Sequence, residues 1–413
     1  MQTKLKIIRN GLCRMCDGSH FEEVINFGRN PLVNSLIEAK DISSKEPTFS
    51  LKVWRCVQCG LVQIKDIVNS DEIYKNVDYL YFSSDMPKLD EYFKEYAEDL
   101  AGRFIQAGDL VVEIGSNDGL MLKMFQDKAR TLGVDPASNV VVRALKNGVP
   151  TISDFFTNRL AHSIEREFGK AKLIYGNNCI AHLNNLHDLI SGVRDLLCDD
   201  GVFVVECNYW GNMVKNKNYA LIYHDHFSYF SAQNWVNFGE EYGLHVFDAV
   251  VTPAQGGSLR IFLDKGMYAL TPRLCELLQE EKEQKLNSLE TCQQYEKDVR
   301  AEANKLFRLI LKIKMDGKKI AGYGAAAKGF SVLKLANITG KYIDYFVDDS
   351  PAKQGKYTPV TRIPVISRLE AESKLPDYFF ITAPNYEDII IQKELIFRQK
   401  GGKFITIDSR IIT

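Results

Sequence analysis

The sequence predicts an α/β protein of several modules, and three observations carry that expectation. Two Cys-x-x-Cys pairs stand near the start, Cys13 with Cys16 and Cys56 with Cys59. From Asp109 the chain alternates short apolar runs with helical patterns. After residue 318 it does so a second time. A β-α rhythm with buried-type strands is the mark of a parallel sheet covered on both faces. The expected boundaries are 1–75 for a cysteine module, 76–250 for the first α/β domain and 251–413 for the second.

At 413 residues the chain is long for one domain. Its formal net charge is −1 and no polybasic arm is visible, which argues against nucleic acid as the main ligand. The first ten residues are mixed polar and basic, unlike a signal peptide. No run is long and apolar enough to span a bilayer. The expected address is the cytoplasm. Nine cysteines is an odd total, and Cys179, Cys198, Cys207, Cys275 and Cys292 lack paired spacing. In a reducing compartment these five read as packed or free thiols.

The two cysteine pairs form a closed set. In Cys56-Val57-Gln58-Cys59-Gly60 the pair sits on a turn that aims two thiolates at one metal. Two such knuckles suit tetrahedral zinc and leave no position for substrate. So small a module, with short strands expected at 53–55 and 61–63, would be marginal without that staple. A Tyr-rich connector follows, Tyr79-Leu80-Tyr81-Phe82-Ser83-Ser84, and then a helical pattern over Leu89–Phe104.

In the first α/β unit, strands are expected at Leu110–Ile114, Arg130–Val134, 172–175 and 201–205. The first ends in Glu113-Ile114-Gly115-Ser116-Asn117-Asp118-Gly119, before a helix expected at 120–125. The spacing is Gly-x-x-x-Gly, so the loop lacks the second glycine with which a dinucleotide loop approaches a pyrophosphate. An acid at the strand end and a polar insert instead suit a ligand with an amino-acid tail, such as S-adenosylmethionine (SAM). Asp135, with Pro136 after it, ends the second strand, where an acid accepts both ribose hydroxyls. Asp154 follows the third strand, where a carboxylate meets an adenine amino group. Asn177 and Asn178 end the fourth. These sites line one cleft at the carboxyl edge of the sheet. The plain alternative is a set of incidental turn residues.

Two of only seven histidines stand in Tyr223-His224-Asp225-His226-Phe227-Ser228. A neutral imidazole near pH 7 is the usual general base. In an extended segment 224 and 226 face one way, 223 and 225 the other. The alternative is that one of them is a packed or capping residue. His182, just after Asn177-Asn178, is placed to face the same cleft. A catalytic metal is poorly supported, since His-Asp-His lacks a helical His-x-x-x-His pair.

Apolar residues at helical spacing within 276–314 (Leu286, Leu289, Leu306, Leu309, Ile310, Ile313) predict one or two long amphipathic helices. The second α/β unit has expected strands at 319–324, 342–347, 378–382 and, at the terminus, 404–407. Its loop, Gly322-Tyr323-Gly324-Ala325-Ala326-Ala327-Lys328-Gly329, roughly fits Gly-x-Gly-x-x-Ala. That allows phosphate at a helix N-terminus, with Lys328 adding charge, or simple helix-on-strand packing. Asp348, Asp349, Lys353 and Gly355 follow the next strand. Gly256-Gly257-Ser258-Leu259-Arg260 reads equally as a domain-junction lining or a hairpin turn.

With these motifs assembled, the chain resembles the sugar C-methyltransferase family from end to end. The carriers are the two cysteine pairs, the Tyr79-Leu80-Tyr81 connector, the Glu113–Gly119 loop, the block from Tyr223 to Phe230, and the loop from Gly322 to Gly329. The resemblance implies a zinc-binding N-terminal domain, a middle Rossmann-like SAM methyltransferase domain and a C-terminal Rossmann-like domain, with a nucleotide-linked sugar between the last two. It implies methylation of carbon beside the ketone of a dTDP-, GDP- or CDP-linked keto-deoxysugar, by a monomer or small homo-oligomer. His226 is then the base, with Tyr223, Asp225 and His182 assisting. Glu113, Gly115, Ser116, Asn117, Gly119, Asp135, Pro136, Asp154 and Asn177 hold SAM. Tyr79, Tyr81, Asn178, His224, Lys328 and Lys353 meet the sugar nucleotide. The family block reads Tyr-His-Glu-His; here Asp225 withdraws the carboxylate by one methylene. Competing readings are a nicotinamide-dependent sugar dehydrogenase using the C-terminal loop, a nucleic-acid methyltransferase with a zinc module, and a non-catalytic zinc scaffold.

Overall fold

The computed structural model describes residues 7–33, 35–75, 79 and 81–413. Leu80 of the connector lies outside the described residues. The chain divides into two compact units. One comprises Met1–Glu22, Arg55–Gly211 and Phe227–Ser288; the other Glu23–Trp54, Asn212–His226 and Leu289–Thr413. Glu23–Trp54, the middle of the cysteine module expected over 1–75, groups with the second unit.

The first unit is built on seven strands: β1 (Leu110–Ile114), β2 (Arg130–Val134), β3 (Thr151–Ile152), β4 (Ala171–Asn177), β5 (Leu197–Asn208), β6 (His245–Thr252) and β7 (Ser258–Asp264). Their spatial order is β6-β7-β5-β4-β1-β2-β3. β1 to β5 run parallel, and β7 lies antiparallel between β5 and β6. The order reverses at β1, with β2 on one side and β4 on the other. Such a switch point opens a crevice at the carboxyl ends of the strands. The boundary expected at 250 cuts β6, because β6 and β7 complete this sheet. Gly256 and Gly257, at φ +91° and +110°, make the turn of their hairpin, a backbone region that favours glycine.

The helix Leu89–Phe104 forms as its periodicity requires. It buries Phe93, Tyr96, Ala97, Leu100, Ala101 and Phe104 against Val111, Leu173, Tyr175, Val202, Val204 and Phe262. Each large apolar side chain so buried contributes on the order of 1.5–3 kcal/mol. The helix expected at 120–125 is instead a 3-10 segment, Leu122–Phe125. Met124 N–H donates to the Met121 carbonyl three residues back, and Leu122 and Phe125 are pinned in the core.

The charged stretch 276–314 folds as two helices, Pro272–Glu283 in the first unit and Leu289–Met315 in the second. The former starts with Thr271 accepting Leu274 N–H and Pro at the first turn. The second unit carries a six-stranded sheet: β8 (Ile320–Tyr323), β9 (Phe346–Val347), β10 (Val365–Ile366), β11 (Tyr378–Ile381), β12 (Lys403–Ile405) and β13 (Ile411–Ile412), ordered β10-β9-β8-β11-β12-β13. All are parallel except β13. The strand expected at 342–347 shortens to two residues because Tyr342 N–H closes a turn onto Thr339. That expected at 404–407 stops at Ile405, since Thr406 N–H donates to the Arg410 carbonyl. The chain then returns as β13. Among the described residues no helix is long and apolar enough to cross a membrane.

Candidate active site

Cys13, Cys16, Cys56 and Cys59 bring their four sulfurs within 4.8 Å of one another. Each knuckle is closed by backbone bonds: Cys13 N–H to the Gly18 carbonyl at 2.9 Å, and Gly60 N–H to the Cys56 carbonyl at 3.0 Å. Gly60 has φ +75°. Gln63 Nε2 donates to the Cys13 sulfur at 3.1 Å, an outer-shell bond of the kind that orients a ligand. A tetrahedron with Zn–S of about 2.3 Å has edges of about 3.8 Å, so the set fits zinc in a closed, structural site.

At the carboxyl edge of the first sheet, the loop after β1 turns at Gly115 (φ +68°), where a Cβ would stand 2.5 Å from that of Cys179. Asp135, at the end of β2, is buried. It accepts Asn117 N–H on one oxygen and Ala137 N–H on the other, each at 2.9 Å. Burial nevertheless pushes its carboxyl up to about 6. Glu113 is driven well above the carboxylate range by burial, with Tyr175 donating to it at 3.2 Å. Asn177 donates to the Met121 sulfur at 3.1 Å. Asn178 takes φ +54°, and its N–H donates to the Glu206 carbonyl at 2.7 Å. Ser116 Oγ, Asp118 Oδ1 and Asn177 Oδ1 are buried without a hydrogen-bond partner among the described residues. Buried polar atoms are normally paired, so this crevice is shaped for a polar ligand and fits SAM. Pro136 and Gly119 (φ +79°) complete the loop ends.

Asn139, which the sequence did not single out, holds the connector together with Asn117 and Asp118 of the loop after β1. Asn139 exchanges two hydrogen bonds with the backbone of Tyr79, at 3.2 and 2.9 Å. Asn117 donates to the Tyr81 carbonyl and accepts Ser83 N–H; Asp118 accepts Ser84 N–H. Asp154, expected to meet adenine, is half-exposed and bound to Lys75 at 2.9 Å. That pairing holds its carboxyl below the usual range. His182 ends a 3-10 turn after β4, with Nδ1 2.5 Å from the Tyr74 hydroxyl. Burial lowers its pKa to about 4.

In the second unit, His226 is buried with Nδ1 2.7 Å from the Leu221 carbonyl and Nε2 2.8 Å from the Tyr223 hydroxyl. A carbonyl only accepts, so Nδ1 carries the proton and Nε2 holds the lone pair. Asp225 is buried beside it. His224 departs from expectation. It is fully buried, edge-on to Phe49 at 6.0 Å, and lines a small cavity with Phe27, Leu51 and Phe330. It is an interior residue of this unit, and burial lowers its pKa to about 4.

The C-terminal glycine loop is filled by its own chain. Asp348 accepts Ala325 N–H at 2.7 Å, and Lys353 spans the Ala325 carbonyl and Asp348 at 3.0 and 3.1 Å. At Gly329 a Cβ would stand 2.4 Å from that of Thr382, so small residues here serve close helix-on-strand packing. Lys328 opens the helix Ala327–Leu335, and burial brings its ammonium down to about 7.

Sequence reasoning also missed Glu206, an acid inside an apolar strand, which is itself a readable signal. Its carboxylate meets Arg260 and Tyr92.

Strand order, the loop after β1 and the acid ending β2 together define a SAM-dependent methyltransferase, here with a structural zinc centre. Family models match a zinc binding domain over residues 13–74, a methyltransferase domain over 88–249 and a C-methyltransferase C-terminal domain over 253–407. C-methyltransferase NovU of Streptomyces niveus is 34% identical over 400 residues, covering 95% of this chain and 94% of that protein. The chain belongs to the C-methyltransferase family. Similar solved structures include magnesium protoporphyrin IX methyltransferase (ChlM) from Synechocystis PCC 6803 with bound SAH, 16% identical, covering 42% of this chain and 82% of that one, TM-score 0.33. The CurJ carbon methyltransferase is 14% identical, covering 45% and 56%, TM-score 0.33.

Proposed function

We propose that this C-methyltransferase acts on a nucleotide-linked keto-deoxysugar, methylating the carbon beside the ketone, C3 of a 4-keto sugar. The observation that carries the reading is the Tyr223–His226 pair, whose tautomer leaves Nε2 as a proton acceptor. Carbon next to a ketone is a weak acid, so the reaction needs a base for its proton and donors for the enolate oxygen. His226 takes that proton at Nε2, directly or through the Tyr223 hydroxyl that bridges to it. Asp225 sets the local charge. SAM, held by the β1 and β2 loop residues, supplies an electrophilic methyl group. Tyr79, Tyr81 and Asn178 contact the sugar, and Lys328 the nucleotide. His224 is withdrawn from that set, and Lys353 acts by holding the loop of Lys328. The reading carries three functional modules, a zinc module at 1–75, a SAM module at 76–250 and a C-terminal sugar-nucleotide module at 251–413. The absence of a disulfide among the described residues agrees with a cytoplasmic address.

The dehydrogenase reading is disfavoured by Asp348 and Lys353, which occupy the turn a cofactor pyrophosphate needs. The test incubates the protein with methyl-labelled SAM and a panel of dTDP-, GDP- and CDP-linked 4-ketosugars, and locates label by mass spectrometry. Label at the carbon beside the ketone is expected. No transfer to any ketosugar overturns the proposal.

A further inference from the structure

We infer that Tyr74 is a positioning residue that fixes His182 as a hydrogen-bond donor through Nε2, making His182 the group that stabilises the enolate oxygen. This deepens the proposed reaction and rests on it for the identity of the oxygen served. Tyr74 is the last residue of the helix Ser70–Tyr74, which is capped by Asn69 and buries Ile73 and Tyr74. Its hydroxyl lies 2.5 Å from His182 Nδ1, with the rings 6.2 Å apart and tilted by 32°.

Between a phenol and a neutral imidazole, the phenol is much the stronger acid, with a pKa of about 10. The short bond is therefore a phenol O–H donating to Nδ1. A neutral ring that accepts at Nδ1 carries its proton on Nε2. Burial favours the neutral ring as well, lowering the pKa to about 4. An uncharged imidazole is a donor whose own pKa is closer to that of an enol than an imidazolium's is, and neutral histidines polarise carbonyls in this way. His226 carries the other tautomer, with Nδ1–H on the Leu221 carbonyl and the Tyr223 hydroxyl at Nε2.

The test is a long-range 1H–15N spectrum of the full-length zinc protein, 15N-labelled at histidine and saturated with S-adenosylhomocysteine, near neutral pH. His182 is assigned by its loss in His182→Gln. The Nε2–H tautomer is expected in the wild type, and a mixture with Nδ1–H in Tyr74→Phe. Turnover of Tyr74→Phe should fall about tenfold or more, at unchanged SAM affinity. A wild-type Nδ1–H tautomer overturns the inference, as does a Tyr74→Phe protein with unchanged tautomer and turnover. Should Tyr74→Phe fold poorly, His182→Gln, which keeps a neutral donor, is expected to lose far less turnover than His182→Leu. Equal losses overturn it. The tautomer is read without any sugar, so a wrong sugar class leaves this result standing.

Discussion

The Tyr223 hydroxyl stands 2.8 Å from Nε2 of His226, with ring centroids 4.1 Å apart. The opposite ring nitrogen is committed to the Leu221 carbonyl five residues back. The loop thus fixes both the tautomer and the partner of one imidazole. His226→Asn is expected to lower turnover by about 10²–10⁴-fold, the usual worth of a positioned base. SAM affinity by titration calorimetry should not change. Tyr223→Phe keeps the ring contact and loses the hydroxyl, so its loss should be smaller, on the order of tenfold. Near-normal turnover in His226→Asn would sink the assignment.

Much of this was legible because it is local. Leu110–Ile114 and Arg130–Val134 read as strands from their apolar runs, and Leu89–Phe104 from its three-to-four spacing. The cysteine spacing announced a cluster that the fold closes. What was hidden depends on pairs distant in sequence. Tyr74 and His182 are 108 positions apart, and nothing in either neighbourhood marks the other. Alternation put His224 and His226 on one face, yet a turn closed by His226 N–H on the Tyr223 carbonyl sends His224 into the interior. Asp154 stands where a strand-end acid was expected, but Lys75 captures it.

Cys56→Ala should damage folding before chemistry. Its sulfur belongs to a set spanning at most 4.8 Å, and structural zinc of this kind binds with an apparent free energy of about 10–16 kcal/mol, which is folding free energy. The variant is expected to lose zinc, measured by metal analysis, and to unfold at a markedly lower temperature. Chelation of the wild type should do the same. A soluble Cys56→Ala protein with full zinc content and wild-type melting would show that the cluster is no metal site.

Asp135 gives two pH dependences of opposite sign. Its carboxyl is pushed up to about 6 by burial, against backbone N–H groups from Ala137 and Asn117 that pull it down; the unfolded value is 3.8. Between these values the native state holds a proton that the unfolded state has lost. Its stabilising contribution is complete below pH 3.8 and is lost as pH rises through about 6. At 1.36 kcal/mol per unit this amounts to about 3 kcal/mol at most. The proposed ribose contact needs the ionised form, so SAM affinity should fall about tenfold per unit below that pKa. Asp135→Asn should remove both dependences and bind SAM weakly throughout. Urea titrations and calorimetry across this range read the two effects separately, and a flat wild-type affinity would remove Asp135 from the cofactor site.

Glu206 and Arg260 face each other across β5 and β7. The Glu206 carboxylate is fully buried and accepts from Arg260 at 2.9 and 3.0 Å and from Tyr92 at 2.6 Å. The guanidinium lies 3.2 Å over the ring of Tyr96. The Glu206 backbone carbonyl also receives Asn178 N–H, so the residue that bears the buried carboxylate also anchors the turn after β4. Arg260→Met leaves a buried charge without its partner and should cost about 3–5 kcal/mol. Glu206→Gln with Arg260→Met removes both charges and should recover most of that loss, because an intact buried pair roughly breaks even against neutral residues. Urea unfolding of the two single variants and the double variant measures the coupling. If the pair also holds the turn, Arg260→Met weakens SAM binding and the double variant restores part of it. A cost below about 1 kcal/mol for Arg260→Met, in the range of a surface pair, would mean that water reaches Glu206 and that the turn is held by its backbone alone.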